Sequence, residues 1–277
     1  METPDDIEIA DIRRLTDLIK DKYNYDFKNY AISSFKRRIK RVIELYKFKS
    51  VDALIERLAN HSNFFEEFVS EITVNVTEMF RDPTFWKVLK EQILPNLLMN
   101  HNKLSIWHAG CSSGEEVYTM AIVLREIGAL ERCTIVASDL DMAIIDKAKK
   151  GIISMKNMEL NAKNYERYQG DKKLSDYYRE ENGYAHIDKS LFNSVSFRRH
   201  DLVLGAVFSK FDIILCRNVM IYFNQSLQNE VLYKLHESLF KYGYLCIGSK
   251  ESLIWCDIAN KFIVVNNEEK IYKKVKD

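Results

Sequence analysis

Three stretches of the 277-residue chain combine small, acidic and basic residues at spacings that could do chemistry. The first is Ile106-Trp107-His108-Ala109-Gly110-Cys111-Ser112-Ser113-Gly114-Glu115-Glu116-Val117-Tyr118, an apolar run that breaks into a small-residue loop. Val117, Met120, Ala121 and Leu124 then recur at helical spacing, so the stretch reads as strand, turn and helix N-terminus. Gly110 and Gly114 let the backbone approach a ligand, and Ser112 or Ser113 is the expected N-cap. A pyrophosphate is a poor fit, because the third glycine of G-x-G-x-x-G is missing and Glu115 and Glu116 stand where phosphate needs neutral N–H donors. Carboxylates there suit a ligand with positive charge and with amine or hydroxyl donors. The second stretch, Cys133-Thr-Ile-Val-Ala-Ser-Asp139-Leu-Asp141, reads as a buried strand ending in an acid, placed to accept hydrogen bonds from both hydroxyls of a ribose. A nucleoside with a cationic appendage describes S-adenosylmethionine. In the third, Phe211-Asp-Ile-Ile-Leu-Cys-Arg-Asn-Val-Met-Ile-Tyr-Phe-Asn224, an apolar strand runs into Arg217, Asn218 and a turn bearing Tyr222.

These stretches need a scaffold, and the intervening sequence supplies one. Val195–Leu202 reads as a third strand whose terminal acid, Asp201, reaches the same edge. Gly243–Gly248 reads as a fifth strand, and 261–265 with 270–275 as a closing hairpin. Alternating strands and helices give a doubly wound, Rossmann-like α/β sheet with a C-terminal β-hairpin, its ligand at the carboxyl ends of the strands. Residues 151–194 are polar and tyrosine-rich; Asn182-Gly183 marks a hairpin, so a helix and a small antiparallel β insertion are expected there.

Residues 6–75 read as a small all-α region with breaks near Asn24, Lys49 and His61. Its clearest helix covers 31–47, with Ile32, Phe35, Ile39, Val42, Ile43 and Tyr46 on one face. Lys36, Arg37, Lys40 and Arg41 crowd the opposite face, with Arg38 at its edge. Like charges at helical spacing repel by a few tenths of a kcal/mol per pair, which a negatively charged partner would relieve. Asn75, Thr77 and Arg81 follow in a polar junction of the kind that lines a site between domains. A helix over 83–100, with Phe85, Trp86, Leu89, Ile93, Leu94 and Leu97 inward, then docks the small region to the large one. The division is thus 1–75, a linker and docking helix over 76–102, and a catalytic domain over 103–277.

Forty-one Lys plus Arg against forty Asp plus Glu give net +1, so no global field argues for nucleic acid or membrane. No apolar run approaches the roughly eighteen residues of a membrane span, and a cytoplasmic location is expected. Five cysteines fall singly, without C-x-x-C, which argues for reduced thiols, and the scattered histidines argue against a metal site.

Thr77-Glu-Met-Phe-Arg-Asp82, Trp107-His-Ala-Gly-Cys-Ser-Ser-Gly-Glu-Glu116, Ala137-Ser-Asp-Leu-Asp141 and Cys216-Arg-Asn-Val-Met-Ile-Tyr-Phe223, in this order and spacing, resemble the CheR chemotaxis receptor methyltransferase family over nearly the whole chain. The resemblance implies methyl transfer from S-adenosylmethionine to glutamate side chains in the cytoplasmic helices of bacterial chemoreceptors, leaving S-adenosylhomocysteine and γ-glutamyl methyl esters. It assigns Asn75, Thr77, Arg81, Gly110, Glu115, Asp139, Asp201, Leu202, Arg217 and Asn218 to the cofactor. Arg81 and Tyr222 are expected to hold the substrate carboxylate, and Lys36, Arg37, Lys40 and Arg41 to steer acidic receptor helices toward a monomeric enzyme, with the helical domain recognising substrate. Asp201-Leu202 stands where many relatives have Asn-Leu. The competing readings are a nucleic-acid or other-protein methyltransferase, weakened by the near-zero charge and the lack of adjacent prolines, and a non-catalytic module that binds S-adenosylmethionine.

Overall fold

A computed structural model describes residues 7–73 and 76–276. Four helices come first: α1 (Ile9–Tyr23), α2 (Ile32–Leu45), α3 (Val51–Asn60) and α4 (Phe64–Ile72). They break where turn chemistry dictates. Asn24 closes α1 in a left-handed conformation, and the Ser50 hydroxyl caps α3 by accepting the Ala53 N–H. Leu15, Ile19, Phe35, Ile39, Val42, Leu54, Leu58 and Phe68 form one shared core. Two residues of α2 depart from the expected faces: Ile32 is half exposed, and Arg38 is buried.

The docking helix is continuous but irregular. α5 (Pro83–Val88) widens into a π turn over Leu89–Ile93 before α6 (Leu94–Asn100), with the Leu94 N–H reaching back to the Leu89 carbonyl. Pro95 has no N–H and its ring crowds the carbonyl four residues back, so the turn beside it opens. The six residues expected inward on this helix are all buried.

Strands and helices then alternate: β1 (Leu104–Ala109), α7 (Glu115–Glu126), β2 (Cys133–Asp139), α8 (Met142–Lys150), β3 (Ile152–Ser154), α9 (Met155–Tyr168), β4 (Tyr178–Glu181) and β5 (Tyr184–Ile187). The chain finishes with β6 (Ser196–Arg199), β7 (Phe211–Cys216), α10 (Gln225–Glu237), β8 (Leu239–Ile247), β9 (Phe262–Asn266) and β10 (Ile271–Lys274). The main sheet has the order β6-β2-β1-β7-β8-β10-β9. Its first five strands run parallel, and β10 runs antiparallel to both neighbours. The chain moves outward from β1 through β2 to β6, then returns to β7 on the other side of β1, which puts the topological switch between β1 and β7. The third strand stops at Arg199, so Asp201 lies in the following turn, and the fifth begins four residues before Gly243.

The insertion holds a second sheet of order β3-β5-β4, with Asn182 and Gly183 both at positive φ in the hairpin. Its polar composition conceals a firm anchor. The Glu126 carboxylate at the end of α7, 1% exposed, accepts hydrogen bonds from the Tyr165, Tyr168 and Tyr177 hydroxyls and pairs with Lys90 at 2.9 Å. α7 is consequently covered on all sides, with Val117 through Leu124 buried. The five cysteines are free and buried. Among the described residues, no helix is long and apolar enough to cross a membrane.

Candidate cofactor and substrate site

The loop after β1 is fastened to the end of β2. The Gly110 and Cys111 N–H groups donate to the Ser138 carbonyl at 2.8 and 2.9 Å, and the Ser112 N–H donates to Asp139 Oδ2 at 2.8 Å. Gly110 sits at φ +82°, and a Cβ there would lie 2.5 Å from Val219 Cγ2, so the turn after β7 is packed directly on this backbone. The N-cap of α7 is Gly114, not Ser112 or Ser113. Ser113 donates instead to Glu115 Oε2 at 2.6 Å. Asp139 Oδ1 accepts the Asp141 N–H at 3.2 Å, which leaves acceptor capacity on both carboxylate oxygens. Burial raises its pKa, with the N–H of Ser112 and Asp141 opposing the shift.

A second layer joins α5, α7 and β7 through Arg217, whose side chain is nearly inaccessible. Its guanidinium donates to Asp82 Oδ2 at 2.7 Å, to Glu116 Oε2 at 3.3 Å and to the Arg81 carbonyl at 3.3 Å, and it lies 4.1 Å from the Phe85 ring centroid. The other oxygen of Glu116 meets His108 Nδ1 at 2.8 Å. Burial opposes ionisation of Glu116, but His108 and Arg217 outweigh it, so its pKa is lowered. The junction backbone is equally constrained. Phe80 and Asp82 hold left-handed conformations, the Phe80 N–H donates to Thr119 Oγ1, and Asn161 and Asn164 hold Met79 by its N–H and carbonyl. Positive φ at two non-glycine residues costs on the order of 1 kcal/mol each, and the bonds to α7 and α9 hold it in place.

The third layer is the turn after β7. Asn218, at φ +61°, and Ile221 donate their N–H groups to the buried Glu251 carboxylate, as does Gly248. The Tyr222 carbonyl accepts the Ala31 N–H at 2.8 Å, and Asn224 donates its backbone N–H to the Asn29 carbonyl and its side-chain amide to Asn29 Oδ1, so the helical region is bolted to this turn. Arg38 comes in from α2 with its guanidinium 4.4 Å from the Tyr222 ring centroid. It donates to the Ile72 carbonyl and to Ser34 Oγ, its Nε has no partner, and among the described residues no carboxylate pairs with it. Burial lowers its pKa. Burial raises the pKa of Tyr222, while Arg38 and Arg81 oppose that shift.

These layers enclose a cleft of about 1020 Å³, counting its open mouth, at the carboxyl ends of β1, β2 and β7. Thr77, Arg81, Trp86, Gly110, Ser112, Glu116, Asp139, Leu202, Arg217, Asn218, Arg38 and Tyr222 all line it. The lining includes the acid Asp139, the Ser112 hydroxyl, which has no partner among the described residues, and the cations Arg38 and Arg81. Residues 75–271 match the family description "CheR methyltransferase, SAM binding domain", and residues 10–73 match "CheR methyltransferase, all-alpha domain". The chain belongs to the CheR methyltransferase family. Cher3 of Pseudomonas putida, which bears a methyltransferase name, is 40% identical over 264 residues, covering 95% of this chain and 96% of that protein. The chemotaxis protein methyltransferase of Listeria monocytogenes is 33% identical over 240 residues, covering 86% and 88%. Among solved structures, the N-methyltransferase NodS of Bradyrhizobium japonicum with S-adenosylhomocysteine overlays 59% of this chain and 61% of its own at 13% identity and a TM-score of 0.34.

The cofactor of this CheR protein is S-adenosylmethionine, and the cleft fits it chemically. Asp139 and the Ser112 hydroxyl offer hydrogen-bonding capacity to a ligand's hydroxyl groups, and Gly110 leaves room for Val219 to pack on the loop. Of the residues expected at the cofactor, Thr77, Arg81, Gly110, Asp139, Asp201, Leu202, Arg217 and Asn218 line this one cleft. Asn75 lies outside the described residues. Glu115 is not on the wall: it is 4% exposed and turned toward Ser113, and the neighbouring Glu116 lines the cleft instead. Asp201 spends one carboxylate oxygen on the Val203 and Leu204 N–H groups. On α2, Arg37, Lys40 and Arg41 are exposed and Lys36 is half-buried; none of the four lines the cleft, though the Arg37 charge reaches Tyr222 and Arg38. Arg41 also meets Glu71 at 3.5 Å. The sequence points to Glu116 only together with Glu115, and to Arg38 only as the edge of the basic face; Tyr30 and Glu251 are not singled out by it, since tertiary packing alone brings them here.

Proposed function

We propose that this protein methylates glutamate side chains in the cytoplasmic helices of chemoreceptors, forming γ-glutamyl methyl esters. The supporting observation is the pairing of a cofactor cleft with Arg38, a buried cation that has no carboxylate partner among the described residues and stands against Tyr222. Burying a charge without a counter-ion is costly, and a substrate carboxylate supplies the missing charge. A glutamate is ionised at neutral pH and is itself the nucleophile, so no general base is required. The bound cofactor supplies an electrophilic sulfonium methyl. The carboxylate oxygen takes that methyl as the carbon–sulfur bond breaks to give S-adenosylhomocysteine, and no proton moves. Arg38, Arg81 and Tyr222 orient the carboxylate. Alignment of this kind is worth on the order of 7 kcal/mol. Full neutralisation by arginine would lower nucleophilicity, so Tyr222 shares the carboxylate. Tyr222→Phe therefore reduces turnover with cofactor affinity nearly intact.

Tandem mass spectrometry of a receptor cytoplasmic fragment after incubation with enzyme and cofactor tests this reading. One added methyl on glutamate side chains is expected. Methylation confined to lysine, arginine or nucleic acid would overturn it.

A further inference from the structure

The turn that carries Tyr222 is flanked by apolar side chains that the fold leaves bare. In the 248–258 loop, Leu253, Cys256 and Ile258 face the core, while Ile254 is 69% and Trp255 80% exposed. A tryptophan this bare is unusual, because it leaves a large apolar area in water. The loop is not loose. Glu251 accepts N–H groups from Gly248, Asn218 and Ile221, the Gln225 amide donates to the Trp255 carbonyl at 3.3 Å, and a Cβ on Gly248 would sit 2.7 Å from Asn218 Nδ2. The backbone at Trp255 is therefore fastened to the start of α10, just beyond the turn that carries Tyr222. Ile221, in the same turn, and Ile32, on the first turn of α2 beside the Ala31–Tyr222 bond, are also exposed. Ile221 and Ile32 thus adjoin the segment that presents Tyr222, Ile254 and Trp255 lie on the loop fastened to it through Glu251 and Gln225, and the cations Arg37, Lys40 and Arg41 continue along α2.

We infer that Trp255 and Ile254, with Ile221 and Ile32, form a docking ledge for the apolar residues of an amphipathic, acidic substrate helix. This rests on the reading of the protein as a glutamate methyltransferase and adds a specificity determinant to it. A helix fits because residues three and four positions from the target glutamate share its face. The occupant is anionic as well as apolar, since Ile32 shares α2 with the exposed cations Arg37, Lys40 and Arg41. Apolar anchors fix where along the helix the carboxylate falls, which exposed charges alone do not do.

The test measures methyl transfer by the full chain to a receptor cytoplasmic fragment, with wild type, Trp255→Ala and Trp255→Leu compared. Trp255→Ala is expected to raise KM for the fragment roughly tenfold, with kcat at saturation and the Kd for S-adenosylhomocysteine little changed. Trp255→Leu, which keeps apolar area, is expected to recover most of that loss. An unchanged KM in Trp255→Ala, with wild type still forming glutamyl esters, would overturn the ledge and leave the reaction standing. Absence of esters with wild type would instead remove the reading beneath it.

Discussion

At the level of single residues, the site separates two carboxylates and two arginines that look alike in the sequence. Glu115 and Glu116 are neighbours, yet one is capped by Ser113 inside the fold and the other ties His108 to Arg217. Arg217 is spent on Asp82, Glu116 and the Phe85 face, whereas Arg38 pairs with no acid among the described residues. Arg38→Gln is therefore expected to raise KM for the protein substrate at least tenfold while cofactor affinity holds; isothermal titration with S-adenosylhomocysteine beside initial rates checks both. Asp139 supplies a pH signature. Because burial raises its folded pKa above the ordinary 3.8, its charge costs the cofactor-free fold stability at neutral pH, and this cost fades as pH falls through the raised value. Cofactor affinity falls in the same window, since hydroxyl donors favour the ionised carboxylate. Asp139→Asn should weaken S-adenosylhomocysteine by about tenfold at pH 7 and flatten both dependences, as titrations and thermal melts from pH 7 downward would show.

The elements matter through how their ends are pinned. The loop between β1 and α7 was legible in sequence because glycine, an apolar strand and acids at a helix start are local signals. Its capping was not. Ser112 and Ser113 read as N-caps, but the turn places Gly114 there in a left-handed conformation that serine adopts at a cost. The basic pattern of α2 was legible too, while the burial of Arg38 depends on α4 and on the Tyr222 turn, which sequence spacing alone does not place. The insertion was legible only as a polar, tyrosine-rich segment with a hairpin; that three of its tyrosines converge on Glu126 depends on tertiary packing. Gly110→Ala tests the pinning of the loop. The left-handed φ and the 2.5 Å approach to Val219 should cost about 1–3 kcal/mol in denaturant melts and weaken cofactor binding. Adding Val219→Ala is expected to restore part of the stability, because it removes the contact and leaves the strained φ.

On the scale of the whole molecule, a small helical region is joined to a cofactor sheet by the Tyr30, Ala31 and Asn29 contacts with the turn at 222–224. The order of elements and the doubly wound sheet followed from alternating apolar runs and helical periodicity. The joint itself did not, because it pairs residues nearly two hundred positions apart through backbone groups common to every sequence. Net charge near zero hides a local cationic helix, so substrate capture is expected to be salt-sensitive. KM for a receptor fragment should rise between low and physiological ionic strength, and reversing Lys40 and Arg41 to glutamate should abolish that rise while cofactor binding persists.

The most direct test of carboxyl methyl transfer uses cofactor labelled in its methyl group, with a receptor or membrane fraction as acceptor. Mild alkali follows, and volatile methanol is captured. Most of the protein-bound label is expected to be released as methanol, and to be lost when Arg38→Gln replaces wild type at limiting substrate. Label that stays on the protein or on nucleic acid through alkali would contradict a carboxyl ester.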